Sequence, residues 1–172
     1  MLQQNWEMIK KIDAAFRAGD LEALRAAVED PEIIPNGAMP LAIGPCLEYA
    51  IYHSPIEFVR TLLEMGADPN PSNHAGFPPI IAALTREPRL DALRLLLKFG
   101  ADPNQRGIND YTPLHMAVAG HNLAAVELLL EAGADPLLRT RIDDYETPLE
   151  LARRAELAEI AKLLTTHEAR DE

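Results

Sequence analysis

The chain has one cysteine, few aromatic residues, far fewer basic than acidic side chains, and no apolar run long enough to span a bilayer. Each scarcity excludes something. A lone Cys46 cannot form an internal disulfide and fits a reducing compartment. Aromatic residues make up 5% of the chain while Ala and Leu abound, which argues against an aromatic-rich β core and for close-packed helices. Leu2, Gln3, Gln4 and Asn5 do not open the apolar stretch of a leader peptide, so the expected localisation is cytoplasmic. With 16 Lys and Arg against 27 Asp and Glu, the net charge of -11 disfavours nucleic acid and anionic membrane as partners. A basic protein surface stays open as a partner, beside the plainer reading that acidity keeps a small protein soluble.

Chemistry is also scarce. No phosphate-binding loop, nucleophile elbow or metal-ligand spacing occurs. His167-Glu168 lacks the second His of a zinc helix, and Cys46 has no partner at ligand spacing. The expectation is a chain that is not an enzyme, with no cofactor and no metal.

What the chain has is repetition. Gly66-Ala-Asp-Pro, Gly100-Ala-Asp-Pro and Gly133-Ala-Asp-Pro each follow a helix ending on paired leucines, Leu62-Leu63, Leu96-Leu97 and Leu129-Leu130. Glycine at these places suits the left-handed residue just beyond a helix. About a dozen residues after each glycine comes a helix start: Phe77-Pro-Pro-Ile-Ile-Ala-Ala83, Tyr111-Thr-Pro-Leu-His-Met-Ala117 and Glu146-Thr-Pro-Leu-Glu-Leu-Ala152. Thr112 and Thr147 can cap the first free amides, with Pro113 and Pro148 at the first helical position and Glu150 completing a capping box with Thr147. The second helices carry apolar residues at helical spacing: Ile56, Val59 and Leu63, then Leu90, Leu93 and Leu97, then Leu123, Val126 and Leu130. Each helix pair buries one face, so neighbours must stack to make a core.

A period near 33 with Thr-Pro-Leu-His-x-Ala at Thr112–Ala117 and Gly-Ala-Asp at Gly133–Asp135 resembles the ankyrin-repeat family, in its small stand-alone bacterial form. The resemblance implies an all-α solenoid of stacked helix-turn-helix units with short β-hairpin fingers, about four repeats, and helical caps at both ends. It divides a single domain of residues 1–172 into an N-terminal helical cap (1–30), repeats 31–70, 71–104 and 105–137, and a C-terminal capping repeat (138–172). In the cap, Trp6, Ile9, Ile12 and Phe16 form one apolar face, Gly19 ends the helix and Asp20 begins the next. The first repeat has Pro45-Cys-Leu-Glu-Tyr-Ala50 where Thr-Pro-Leu-His-x-Ala is expected, and so lacks the capping hydroxyl and the histidine.

By the same resemblance, His115 hydrogen-bonds to neighbouring finger backbone. Asp68, Asp102 and Asp135 recur with the turns they follow, so they read as satisfying turn amides and not as a row of reactive carboxylates. Partners of this family usually lie across the finger tips and the concave side of the first helices. The positions that map there include Tyr52 and His53, Thr85 and Arg86, Ala119 and Gly120 on helices, with His74, Phe77, Ile108, Asn109 and Tyr111 in fingers. Asp110 fills the usual glycine slot, and Tyr145 lies close to the position shared by Phe77 and Tyr111. These aromatics read either as interface anchors or as packing between adjacent fingers. Asp143 and Asp144, near Arg139 and Arg141, form either a charged recognition tip or a locally paired loop. Residues 31–80 carry Glu32, Glu48, Glu57, Glu64 and Asp68 against Arg60 alone, which suits a basic partner surface.

The reading is therefore a monomeric, non-catalytic scaffold that binds another protein through fingers and first helices. Two alternatives stand beside it. One is an inhibitor or immunity-type protein that blocks a basic toxin or nuclease. The other is a regulatory subunit that senses a small ligand or metal through His53 and His121.

Overall fold

A computed structural model describes residues 2–40, 44–71, 78–85, 89–141 and 145–168. They are mostly helical, and they fall into two compact units, Met1–Pro69 and Asn70–Glu172. Among the described residues no helix is long and apolar enough to cross a membrane.

The first unit opens with α1 (Leu2–Ala18) and α2 (Leu21–Ala27). Gly19 adopts φ +67 to end α1, and the Asp20 carboxylate accepts the Ala23 amide at 2.9 Å to start α2. Ile12, Phe16 and Leu24 are fully buried between them. Trp6 departs from the expected apolar face: it is 57% exposed, with the Lys10 ammonium 5.7 Å from its ring centre. The reason is length. At about 1.5 Å per residue the seven residues of α2 span roughly 10 Å and cannot shelter the first turns of the much longer α1.

A two-residue antiparallel ribbon follows, β1 (Ala38–Met39) against β2 (Gly44–Pro45), with Ala38 opposite Pro45. It leads into α3 (Cys46–His53) and α4 (Ile56–Glu64). Pro45 stands before α3 without a side-chain cap, as the missing threonine requires. Phe16 meets Tyr49 edge-on at 4.8 Å and Phe58 at 5.8 Å, so α1, α3 and α4 share one core. The buried Phe16 and Phe58 side chains each stabilise the fold by roughly 1.5–3 kcal/mol.

In the second unit three helix pairs succeed one another: α5 (Pro79–Ala82) with α6 (Leu90–Lys98), α7 (Pro113–Ala119) with α8 (Leu123–Glu131), and α9 (Pro148–Arg154) with α10 (Ala158–Glu168). The buried stripe of α6 sits slightly off the expected one: Leu93, Leu95 and Leu96 are buried while Leu97 is half-buried. Fingers are tighter than hairpins here. The finger before α7 closes on one backbone bond, Gly107 N–H to the Tyr111 carbonyl at 2.9 Å, around the 3-10 turn Ile108–Asp110. The finger before α9 closes through Thr140 N–H to the Glu146 carbonyl at 3.1 Å.

The turns after α4, α6 and α8 are alike. Gly66, Gly100 and Gly133 have φ between +85 and +93, and the following Ala67, Ala101 and Ala134 amides reach back to Leu62, Leu96 and Leu129 carbonyls at 2.9–3.0 Å. An asparagine one repeat earlier braces each turn. Asn36 donates to the Gly66 carbonyl at 2.9 Å and accepts the Asp68 amide at 2.7 Å. Asn70 does the same with Gly100 and Asp102, at 2.7 Å each, and Asn104 with Gly133 and Asp135, at 3.2 and 2.7 Å. The carboxylates of Asp102 and Asp135 accept the Asn104 and Leu137 amides at 2.8 Å. At the corresponding place in the last finger stands Leu137, 64% exposed.

Candidate partner-binding site

In the second unit the start of α7 is sealed by two side chains. Thr112 Oγ1 accepts the His115 amide at 3.4 Å and lies 2.8 Å from His115 Nδ1, while His115 Nε2 donates to the Glu146 carbonyl at 3.0 Å. That carbonyl belongs to the next finger, so the ring ties one repeat to another. Nδ1 accepts the Thr112 backbone amide at 3.4 Å while Nε2 donates, which is the neutral tautomer. Burial lowers the His115 pKa further, with the Arg106 charge adding to it. His115 and Thr112 are buried, as is Pro113 at the first helical position.

At α9 the same Thr-Pro-Leu start is solved with charge. Thr147 accepts the Glu150 amide at 3.2 Å, and the Glu150 carboxylate accepts the Thr147 amide at 2.8 Å. Arg139 then binds Glu150 through both guanidinium nitrogens, at 2.8 and 3.0 Å, and donates to the Tyr145 carbonyl at 2.6 Å. Arg139, by its hydrogen bond, holds the Glu150 carboxyl below its usual pKa. Arg154 does the same for Glu146, at 2.6 and 2.7 Å. Arg106 and Arg141 approach the Asp110 carboxylate at 3.8 and 3.7 Å. Arg139 and Arg141 are thus partnered within the fingers, and Asp143 and Asp144 lie outside the described residues.

Beyond this sealed layer the fingers present apolar and strained residues. Ile108 is 50% exposed, and Tyr145 is 62% exposed. The two fingers are joined by Arg141 N–H to the Asn109 carbonyl at 3.0 Å and by Arg106 to the Arg139 carbonyl at 2.9 Å. Asn109, Asp110 and Tyr145 have φ of 60, 61 and 54. Counting back from the capping threonines, Tyr145 matches Asp110, and it is Glu146 that matches Tyr111. Tyr145 thus lies one residue before the position shared by Phe77 and Tyr111. A tyrosine in the left-handed region costs on the order of 1 kcal/mol against glycine. Tyr111 is half-buried and meets His115 edge-on at 5.6 Å. His74, Phe77 and Arg86 lie outside the described residues.

In the first unit Tyr52 is 39% exposed, and His53 is half-buried with its ring 4.4 Å from that of Tyr49. Tyr49 donates to Asp13 at 2.6 Å, and Arg17 donates to the other carboxylate oxygen at 2.7 Å. Arg17 first, then Tyr49, lowers the Asp13 pKa, while burial and the Asp13 bond push the Tyr49 phenol up to about 12. Burial likewise pushes the Cys46 thiol up to about 12, with Glu48 adding to it, so the thiolate is absent at neutral pH. His121 is exposed with φ 53 at the turn between α7 and α8. Among the described residues no group of three or more His, Cys, Asp or Glu side chains could hold a metal ion.

The bracing asparagines escaped the sequence reading, as did the pairing of Arg139 with Glu150. The spacing of 34 from Asn36 to Asn70 and again to Asn104 was the available signal.

A family model described as ankyrin repeats (3 copies) matches residues 47–140 and 79–171. Among curated proteins the chain is similar to "Putative E3 ubiquitin-protein ligase XBAT34" of Arabidopsis thaliana, 31% identical over 114 residues. That match covers 65% of this chain and 30% of the relative, so the chain spans under a third of the relative's length.

Proposed function

The chain belongs to the ankyrin-repeat family, and on that premise we propose that it is a non-catalytic scaffold that binds another protein through its fingers and first helices. Repeats of this family are generally modules of protein–protein interaction. The observation that carries the reading is the exposure of Ile108 and Tyr145 on two fingers that are themselves braced by Arg106, Arg139 and Arg141. A large apolar side chain held on a rigid support loses little entropy on contact, which favours it as an anchor. Tyr145 also keeps a backbone conformation that glycine would adopt with less strain, a sign that the ring is retained for something other than the fold.

In this reading residues 1–172 act as one domain and a cytoplasmic monomer without cofactor. Tyr52 and His53 are the candidate contact residues of the first unit, and Phe77, His74 and Arg86 join those of the second by repeat position. The acidic excess of residues 31–80 suits a basic surface on the partner. The ligase named for the Arabidopsis relative enters only as context, because the 114 aligned residues cover 30% of that protein.

The test is affinity capture from a lysate on the wild type beside an Ile108→Ala, Tyr145→Gly variant, quantified by mass spectrometry. A protein retained by the wild type should be depleted on the variant. Equal recovery on both would refute the finger-centred surface.

A further inference from the structure

Asn36, Asn70 and Asn104 brace three turns in the same way, yet the residues that follow them differ: Gly37, Pro71 and Gln105. That difference decides their chemistry. A backbone nitrogen can attack the side-chain amide carbon of a preceding asparagine, forming one C–N bond while the other breaks and ammonia leaves. Water then opens the resulting succinimide at either carbonyl, giving aspartate or isoaspartate, with no oxidant or reductant involved. Glycine leaves the attacking nitrogen unshielded because it has no Cβ. Proline has no N–H to lose, so Asn70 is closed to this route. The Gln105 side chain crowds the nitrogen next to Asn104.

We propose that Asn36 is a spontaneous modification site, held closed by the folded first unit and released when its finger opens. Both reacting groups are occupied in the fold. The Asn36 amide is held by the Gly66 carbonyl and the Asp68 amide, and the Gly37 N–H is donated to the Ile33 carbonyl. Asn36 is exposed, so water is at hand once the finger opens. The pair cannot be avoided by replacing the glycine. A Cβ at residue 37 would stand 2.5 Å from Ile33 Cβ and 2.7 Å from its carbonyl oxygen. Packing thus keeps a labile dipeptide in place.

Conversion removes the brace. An aspartate at 36 has no hydrogen to give the Gly66 carbonyl and sets an acceptor against an acceptor, in a stretch already rich in carboxylates. Isoaspartate adds a methylene to the backbone as well.

The experiment incubates the intact chain in mildly alkaline buffer, with and without denaturant, and maps all three asparagines over time by mass spectrometry with chromatographic separation of isoaspartate. Asn36 should convert in denaturant and at least about tenfold more slowly in native buffer, the protection expected when reaction needs local opening. Asn70 should stay an amide in both. Hydrogen exchange at Ala67 and Asp68 should speed up in the converted chain, and Asn36→Asp should reproduce that change. Equal rates at Asn36 with and without denaturant would overturn the gate. Conversion of Asn104 as fast as Asn36 would overturn the selectivity, and unchanged exchange would overturn the effect on the turn.

Discussion

Helices α7 and α9 begin with the same Thr-Pro-Leu triplet and differ at the fourth residue. His115 is fully buried and neutral, and reaches the carbonyl of the following finger; the Glu150 side chain is 44% exposed, charged, and folded back onto Arg139 of its own finger. Local capping is equivalent in the two, since both side chains return a bond to the threonine backbone. What differs is whether another finger covers the site. Covered, the position takes a ring that bonds two repeats and tolerates dehydration. Uncovered among the described residues, it takes a carboxylate that water and arginine can satisfy. One motif therefore serves as an inter-repeat tie in one place and as a surface cap in the other.

The largest effect should come from breaking the tie. His115→Ala removes the ring partner of the Thr112 hydroxyl and one of the two donors to the Glu146 carbonyl, which keeps the Thr140 amide, and vacates the fully buried volume of the ring; it should cost about 2–4 kcal/mol in urea unfolding. The second test is pH. Burial depresses the His115 pKa in the folded chain, so the unfolded chain takes up the proton first. The neutral ring's contribution is present above the unfolded value near 6.5 and is lost as pH falls through the folded pKa, with a slope of at most about 1.4 kcal/mol per pH unit. Comparing wild type with His115→Gln by urea titration across that window should show a steeper fall for the wild type.

Glu150→Gln should matter less than either. It weakens an exposed pair with Arg139 while keeping an acceptor for the Thr147 amide, and its effect on melting temperature should shrink as salt is raised. An effect as large as that of His115→Ala would erase the contrast between covered and uncovered starts. The smallest change, and the one of opposite sign, is Tyr145→Gly. Relief of the left-handed φ outweighs the flexibility of glycine by about 1 kcal/mol or less, so the melting temperature should rise slightly.

The helix starts at Thr112 and Thr147 and the glycine turns were legible in the sequence because each is a local signal, complete within four or five residues. The asparagines recur at a spacing of 34, but what they brace was not legible, because their partners lie about 30 residues downstream. The exposure of Trp6 depends on how far α2 extends, which periodicity in α1 cannot convey. At the candidate site, the sequence brought Ile108, Asn109 and Tyr111 to one finger. It could not separate the exposed Ile108 from the half-buried Tyr111, because exposure in a finger depends on how the turn folds and not on spacing. The pairing of Arg139 with Glu150 across eleven residues likewise needs the finger's geometry.

The most direct measurement sets two readouts of Tyr145→Gly side by side: its melting temperature, and its affinity for the protein that the wild type captures. If the finger surface is kept for binding at the expense of backbone strain, the melting temperature rises while the affinity falls. An unchanged affinity would contradict the role of Tyr145 as an anchor.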